Sequence, residues 1–306
     1  MSDAAKVRLA IPNKGRIAEP INDLMNKSGI HILMSASRQL IAKTVDPQIE
    51  VLFVRPIDIP EYVAKGVADI GITGVDMVAE RGSDVETLLD LRCGSARWVL
   101  AVPEKSPVST LKDLEGMRVA TEFPGICRKY FADAGVDVTL IEVSGACEAA
   151  PQLGVADAIV DLTSSGTTLE INKLRIVEEL LSSTTNVIAN RDALRTKHEK
   201  IEEILLAFES VIAAKGQCYL MLNVEKAKLE EIRGLIHGLG GTTILEIAGS
   251  DPVALHAVVP HCRVAQRIHS LTHNGHRALH ALSTTRKVDN GNPARRLQTT
   301  ADSAAL

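Results

Sequence analysis

The sequence predicts an α/β protein with two facing lobes followed by a C-terminal ferredoxin-like (βαββαβ) unit. Three observations predict it. Strand-like apolar runs alternate with helix-period segments through the first two thirds of the chain, the pattern of βαβ units. The phrase Gly66-Val-Ala-Asp69 recurs as Gly154-Val-Ala-Asp157, and each copy runs into a strand and a Thr/Gly turn. Four small residues can recur by chance, but the echo suggests two similar lobes that each offer a loop to a shared cleft. Beyond Gly216 the order strand, helix, strand, strand, helix, strand follows the ferredoxin-like plan.

The elements follow in order. Val7–Ile11 is a short strand, Pro12–Arg16 a turn, and Ile17–Lys27 has helical spacing through Ile17, Ile21, Leu24 and Met25. Ile49–Val54 is a strand, followed by Arg55 and a short helix from Asp58. Gly66–Gly74 contains a strand ending in a Gly/Thr turn, and Val75–Arg81 is a helix. Ala96–Val102 is a strong strand that crosses into the second lobe. That lobe continues through a helical turn at Leu111–Leu114, a strand at Arg118–Thr121, a helix at Gly125–Ala134 and a strand at Val138–Val143. Ala158–Leu162 is a buried strand running into Thr163–Thr168. Arg175–Leu181 and Thr184–Ala189 are strands expected to return to the first lobe, and two chain crossings make a hinge that suits closure on a ligand. His198–Ala214 is an amphipathic helix closed by Gly216.

In the third unit Cys218–Leu222, Thr242–Ile247, Leu255–Val259 and Arg277–Leu282 are expected strands, and Val224–Leu239 and Arg263–Thr272 expected helices. The expected divisions are 1–95 plus 178–197 for lobe one, 96–177 for lobe two, 198–288 for the third unit, and 289–306 for a disordered tail without periodicity.

Composition narrows the function classes. A net charge of −4 gives no global basic field for nucleic acid, and 3% aromatic residues argue against base-stacking platforms. No apolar run approaches a membrane span, and Met1–Lys6 shows no apolar signal region, so a cytoplasmic protein with no membrane or nucleic-acid partner is expected. The five cysteines, Cys93, Cys127, Cys147, Cys218 and Cys262, are scattered without a CxxC pair and read as reduced thiols.

Two loops carry chemistry. Thr163-Ser-Ser-Gly-Thr-Thr168 has hydroxyls and a glycine at a strand end, before a helix-like segment at Leu169; such a turn can aim amides and hydroxyls at one phosphate. Asp157 and Asp161 flank its strand, and carboxylates there suit sugar hydroxyls or a metal–diphosphate. Lys14 and Arg16 sit on a strand-to-helix loop, where open α/β sheets place ligands. Taken singly, each loop is equally an ordinary surface turn.

Several spaced motifs then agree in order. Pro12-Asn-Lys-Gly-Arg-Ile17, Arg55-Pro-Ile-Asp-Ile-Pro60, Ala68-Asp-Ile-Gly-Ile-Thr-Gly74 and Ala156-Asp-Ala-Ile-Val-Asp-Leu-Thr-Ser-Ser-Gly-Thr-Thr-Leu169 resemble the long form of ATP phosphoribosyltransferase, the family of the first step of histidine biosynthesis. Tyr219-Leu-Met-Leu-Asn223 and Ala257-Val-Val-Pro260 extend the resemblance, which runs from about Val7 to about Val288.

The resemblance implies two periplasmic-binding-protein-like lobes and a C-terminal regulatory domain that binds histidine as inhibitor. It further implies ATP and phosphoribosyl diphosphate as substrates, Mg²⁺ as cofactor, and a homohexamer built from dimers. On that basis Thr163, Ser164, Ser165, Gly166, Thr167 and Thr168 are assigned to the 5-phosphate, and Asp157 and Asp161 to the ribose hydroxyls. Lys14, Arg16, Arg55 and Arg97 are candidate cations for diphosphate and triphosphate. The facing loop from Asp69 through Thr73 to Gly74 is a candidate nucleotide contact. Asn223, Thr242, Thr243 and Glu246 are polar strand-end groups suited to free histidine, which needs both an acceptor and several donors. Two alternatives share parts of this plan, a prephenate dehydratase-like enzyme and an anion-binding solute receptor. The first lacks the central Arg of a Thr-Arg-Phe motif at Thr121-Glu-Phe123; the third unit counts against the second.

Overall fold

The central strands of the first lobe are runs of small and branched apolar residues, the composition that a sheet covered on both faces requires. The computed structural model describes residues 6–33, 40–164, 166–236, 241–249, 251–260 and 278–283. Strand β1 (Val7–Pro12) lies between β4 (Ile49–Val54) and β5 (Ile70–Gly74), parallel to both. Leu9, Ala10, Ile11, Val51, Ile70 and Ile72 on these strands are buried. Short antiparallel strands β2 (Ile32–Leu33) and β3 (Ile41–Thr44) extend one edge, and β6 (Glu86–Asp90) forms the other. Strand β12 (Thr185–Ala189) inserts between β5 and β6, antiparallel to both, giving the order β2-β3-β4-β1-β5-β12-β6. Helices α1 (Ala18–Lys27), α2 (Ile59–Ala64) and α3 (Val75–Arg81) follow β1, β4 and β5.

In the second lobe β7 (Ala96–Pro103), β8 (Arg118–Thr121), β9 (Thr139–Glu142), β10 (Ala158–Thr163) and β11 (Leu174–Ser183) form the order β11-β7-β10-β8-β9. Strands β8, β9 and β10 are parallel, and β7 and β11 are antiparallel additions. Alternate residues of β7 feed two cores, as strand geometry dictates. Trp98, Leu100 and Val102 pack with Ile126, Cys127 and Phe131 of α4 (Pro124–Ala134). Val99 and Ala101 pack with Cys147, Ile159 and Leu169, the last from α5 (Thr167–Ile171). Burying one large side chain of this kind contributes about 1.5–3 kcal/mol.

Both main sheets are mixed. The expected return of Arg175–Leu181 to the first lobe does not occur, because β11 pairs with β7 from Leu174 to Ser183 and the chain crosses back only at Thr184. Strand β11 bulges twice against β7, between Ile176 and Glu178 and between Glu179 and Leu181, which breaks the alternation that a sequence reading would use. Strands β2, β3 and β6, at or next to the sheet edges, were not expected; they are short and only partly buried, so they carry little apolar pattern.

The echoed tetrapeptide has a structural cause. The backbone N–H of Asp69 donates to the carbonyl of Arg8, and the Arg8 N–H donates back to Asp69 Oδ2 at 2.7 Å. Arg8 Nη1 also donates to the Val67 carbonyl. In the second lobe the Asp157 N–H donates to the Arg118 carbonyl, the Arg118 N–H donates to Asp157 Oδ2 at 2.9 Å, and Arg118 Nη1 donates to the Gly154 carbonyl. In each lobe an aspartate just before one parallel strand braces an arginine at the start of a neighbouring strand.

The chain divides into two compact units, one ending at Phe208 and the next beginning at Glu209. That division falls inside α7 (His198–Ala214), which follows α6 (Arg191–Thr196). In the second unit β13 (Gln217–Val224), β14 (Thr243–Glu246), β15 (Val253–Pro260) and β16 (Ala278–Ser283) form an antiparallel sheet, β14-β15-β13-β16. This is the ferredoxin-like strand order. The expected helix Val224–Leu239 begins later, as a 3₁₀ turn Lys226–Lys228 and α8 (Leu229–Leu235), because β13 runs on through Val224. Ile232 and Ile236 pack on Leu220, Leu222, Leu255 and Val259. The expected helix Arg263–Thr272 and the tail 289–306 lie outside the described residues.

Candidate active site

A cleft of about 700 Å³ opens between the two lobes of the first unit. Its walls come from the carboxyl ends of strands, where α/β sheets hold ligands. Lys14, Gly15, Arg16 and Ile17 follow β1, Arg55 to Ile57 follow β4, and Gly74, Asp76, Met77, Glu80 and Arg81 follow β5. The opposite wall is Glu122, Phe123 and Pro124 after β8, Glu142 at the end of β9 and Leu162 on β10. Thr185, where the chain crosses back, lines the floor.

The first-lobe wall is basic. Lys14 and Arg16 are exposed on a turn that needs Gly15 at φ +98°, a conformation glycine adopts without steric cost. Arg16 Nη1 donates to the carbonyl of Ser95, which lies on the first crossing segment. Arg55 Nε donates to Asp58 Oδ2 at 2.7 Å, and Arg81 Nη2 to the other oxygen of Asp58 at 3.1 Å. Arg81 Nε donates to the Ile57 carbonyl. One aspartate thus holds two guanidinium groups side by side at the cleft. Gly74 admits close approach of Asp76, because a Cβ there would collide with the Asp76 carboxylate. Thr73 is buried and donates to the carbonyl of Pro56, so it stiffens this wall.

The second-lobe wall is acidic. Asp161 lies near Glu122 and Glu148; burial first, and then those two carboxylates, push its pKa up to about 6, against the opposing effect of the Leu162 N–H that it accepts. The loop beyond β10 turns at Thr163, whose Oγ1 accepts from the Gly166 N–H at 2.9 Å. Gly166 adopts φ +83° and opens α5, which has only five residues. So short a helix adds little dipole, and the loop's amides and the hydroxyls of exposed Ser164, Thr167 and Thr168 are what it offers an anion. Arg97 is paired with Thr163 in the β7–β10 register and forms a half-exposed ion pair with Glu179 at 3.3 Å.

The structure brings Lys14, Arg16, Arg55 and Gly74 together in the lining of the cleft. Asp161, Thr163 and the turn after it lie at the end of β10 beside the lining residue Leu162, and neither they nor Thr73 and Arg97 are among the lining residues; Ser165 lies outside the described residues. Asp69 and Asp157 are not brought there. Both precede their strands, which puts them at the opposite ends of the sheets. Asp69 is bound by Lys197 at 2.8 Å to each oxygen, and Asp157 by Arg118 at 2.9 Å. The guanidinium beside Asp157 holds its carboxyl below the usual range. Arg81, Glu80, Asp58, Glu122, Glu142 and Thr185 were missed. Only the position of Glu80 and Arg81 in the helix after Gly74 could have signalled them. Thr185 Oγ1 is buried without a partner among the described residues.

In the second unit Asn223 pairs with Ala254, which pairs with Leu245 of β14, so Asn223 and Glu246 share one end of the sheet. Strand β15 separates β13 from β14, and Thr243 sits opposite His256, well along from Asn223. Thr242 immediately precedes β14 at that same end. Of the four polar groups expected to serve histidine, Asn223 and Glu246 therefore lie together, and Thr242 and Thr243 lie away from them in the register. Glu246 makes a loose, exposed pair with Lys226 at 3.8 Å. Tyr219 Oη and His256 Nδ1 share a 2.7 Å hydrogen bond on the Asn223 face.

Among the described residues no group of three or more His, Cys, Asp or Glu side chains is placed to cage a metal, and no helix is long and apolar enough to cross a membrane. Glu122 and Glu142 are hard oxygen donors on one wall of the cleft. Donors of that kind are what Mg²⁺ takes, commonly one or two carboxylates with phosphate and water completing its shell.

Two mixed α/β lobes with a cleft at their strand ends, joined to a ferredoxin-like unit, define a two-lobed, periplasmic-binding-protein-like protein with a basic wall facing an acidic one. The ATP phosphoribosyltransferase family model matches residues 55–210 and the HisG C-terminal domain model residues 214–283. The ATP phosphoribosyltransferase of Methanococcoides burtonii is 51% identical over 254 residues, 83% of this chain and 89% of that protein. That of Methanopyrus kandleri is 52% identical over 254 residues, with the same coverage. A solved structure of an ATP phosphoribosyl transferase (HisG:HisZ) complex from Thermotoga maritima aligns with a TM-score of 0.61 at 32% identity, over 67% of this chain and 97% of that one. The chain belongs to the long-form ATP phosphoribosyltransferase family, enzymes of the first step of histidine biosynthesis.

Proposed function

We propose that the cleft transfers the phosphoribosyl group of phosphoribosyl diphosphate to N1 of ATP and releases diphosphate. The observation that carries this reading is the convergence of Lys14, Arg16, Arg55 and Arg81 on one wall of a cleft whose other wall carries the carboxylates of Glu122 and Glu142 beside Phe123, Pro124 and Leu162. The 5-phosphate takes the amides and hydroxyls of Thr163–Thr168. Asp161 accepts hydrogen bonds from the ribose hydroxyls. The four cations hold diphosphate and the triphosphate of ATP, and Arg97 can leave its exposed, weakly held partner Glu179 to join them. In the transfer the N1 lone pair forms the bond to C1 while the bond from C1 to the diphosphate oxygen breaks. The reaction needs no strong base, so positioning and charge stabilisation of the departing diphosphate carry the rate. Glu122, Glu142 and Asp161 are the carboxylates that would hold Mg²⁺, which would supply positive charge to the departing diphosphate.

The second unit binds histidine and inhibits, and the chain works in the cytoplasm as a homohexamer of dimers; the family resemblance supports these three statements. Titration calorimetry tests the substrate reading. Phosphoribosyl diphosphate should bind and Arg16→Ala should weaken it about tenfold or more, with little change in melting temperature because Arg16 is exposed. Binding of prephenate or a lone amino acid in this cleft, with none of phosphoribosyl diphosphate, would overturn it. Histidine titrated at varied phosphoribosyl diphosphate tests regulation, and light scattering the assembly.

A further inference from the structure

Helix α4 begins with Pro124, which has no N–H, and its preceding residue Phe123 gives no side-chain cap. The first free donors of the helix are therefore the N–H groups of Gly125 and Ile126. Both are taken by one residue of the other lobe. Gly125 N–H donates to Glu80 Oε1 at 2.9 Å, and Ile126 N–H donates to Glu80 Oε2 at 2.8 Å. The fit is close enough to need glycine, because a Cβ on Gly125 would collide with the Glu80 carbonyl and meet its Cδ at 3.0 Å.

We propose that Glu80 is a positioning residue, a clasp whose carboxylate caps α4 across the lobe boundary and so sets the width of the cleft. The proposal deepens, and rests on, the reading of that cleft as the transfer site. On its own side Glu80 adjoins Arg81, which Asp58 ties to Arg55. On the far side the capped terminus follows directly from Glu122 and Phe123 in the acidic wall, and Phe123 stands edge-on to Trp98 at 4.6 Å. One short stretch of α3 thus supplies Arg81 to one wall and caps the origin of the other. Charge-assisted bonds to helix amides are among the stronger hydrogen bonds. Holding the walls at working distance removes part of the orientational cost of a two-substrate transfer.

Trp98 is the only tryptophan of the chain and is buried, so its emission reports the Phe123–α4 junction. The test uses the full-length protein with Glu80→Ala, which removes both acceptors, Glu80→Gln, which keeps one, and Gly125→Ala, which wedges the helices apart without changing charge. Glu80→Ala and Gly125→Ala should both shift Trp98 emission and enlarge the ligand-free radius of gyration. Both should raise KM for phosphoribosyl diphosphate at least tenfold while kcat stays within about threefold, with Glu80→Gln between them and wild type. Unchanged Trp98 emission and scattering in folded Glu80→Ala and Gly125→Ala would overturn the clasp. A shift in both observables from a wild-type chain that shows no transfer would uphold the clasp and reject the functional reading instead.

Discussion

Asp161 sits where burial and the neighbouring carboxylates Glu148 and Glu122 oppose its charge. Its folded pKa of about 6 lies above the ordinary value of 3.8, so the native state holds its proton more tightly than the unfolded chain. Stability from this group is therefore highest below the ordinary value, falls as pH rises from about 4 to about 6, and stays reduced above that. Asp161→Asn should raise unfolding stability at pH 7.5 by on the order of 2 kcal/mol, with the gain fading toward pH 4, as urea titrations across that range would read. The same substitution should cost roughly 1.5–3 kcal/mol in substrate binding if the carboxylate accepts from the ribose. Gly166 presents a different constraint. A Cβ there meets open space, so the penalty of a side chain lies in the backbone at φ +83°. Gly166→Val should leave lobe two folded, displace the turn held by Thr163 Oγ1, and raise KM for phosphoribosyl diphosphate by at least tenfold in steady-state assays.

At the scale of elements, the paired braces separate two aspartates that the sequence presents as alike. The Asp69–Lys197 pair is largely buried, with side chains 12% and 21% exposed, and the Arg8 N–H depends on Asp69 as well. The Asp157–Arg118 pair is 40% and 44% exposed. Asp69→Ala should cost about 3–5 kcal/mol of stability, the price of a broken buried pair, and Asp157→Ala about 1 kcal/mol or less. Denaturant unfolding measures both, and substrate KM per folded molecule should stay near wild type. The same comparison shows what was legible. Helices α1 and α7 declared themselves by periodicity, and Lys14, Arg16, Arg55 and Gly74 by lying just after strands. Asp69 and Asp157 misled because they lie just before strands, and the chain direction sends those ends away from the cleft. Glu80 and Arg81 could be signalled only by their place in the helix after Gly74, and the meeting of Glu80 with α4, an element about 45 residues away, is in no local pattern.

For the whole molecule, α7 decides where the chain can be divided. Ile201, Ile204 and Phe208 are buried, and Lys200 reaches Asp46 of the first lobe at 2.5 Å. A chain ending near Arg195 loses that helix and should unfold at markedly lower temperature than one ending at Lys215. The longer version should retain phosphoribosyl diphosphate binding and lose inhibition by histidine; inhibition that persists in it would move the effector into the cleft.

Strand β12 lies between β5 and β6, yet it follows all of the second lobe in the chain. Its position has a consequence in time. The second-lobe sheet is built from one uninterrupted stretch, Ala96 to Ser183, and can assemble as soon as that stretch exists. The first lobe, although made earlier, leaves the edges of β5 and β6 unpaired until Thr185–Ala189 arrives. During synthesis the lobe begun first should therefore finish last, with open strand edges exposed to wrong partners in the interval. In refolding from urea, Trp98 fluorescence should recover before the amides of Ile70–Gly74 gain protection from hydrogen exchange. The interval between the two signals is the period in which a chaperone or a neighbouring chain would find its target.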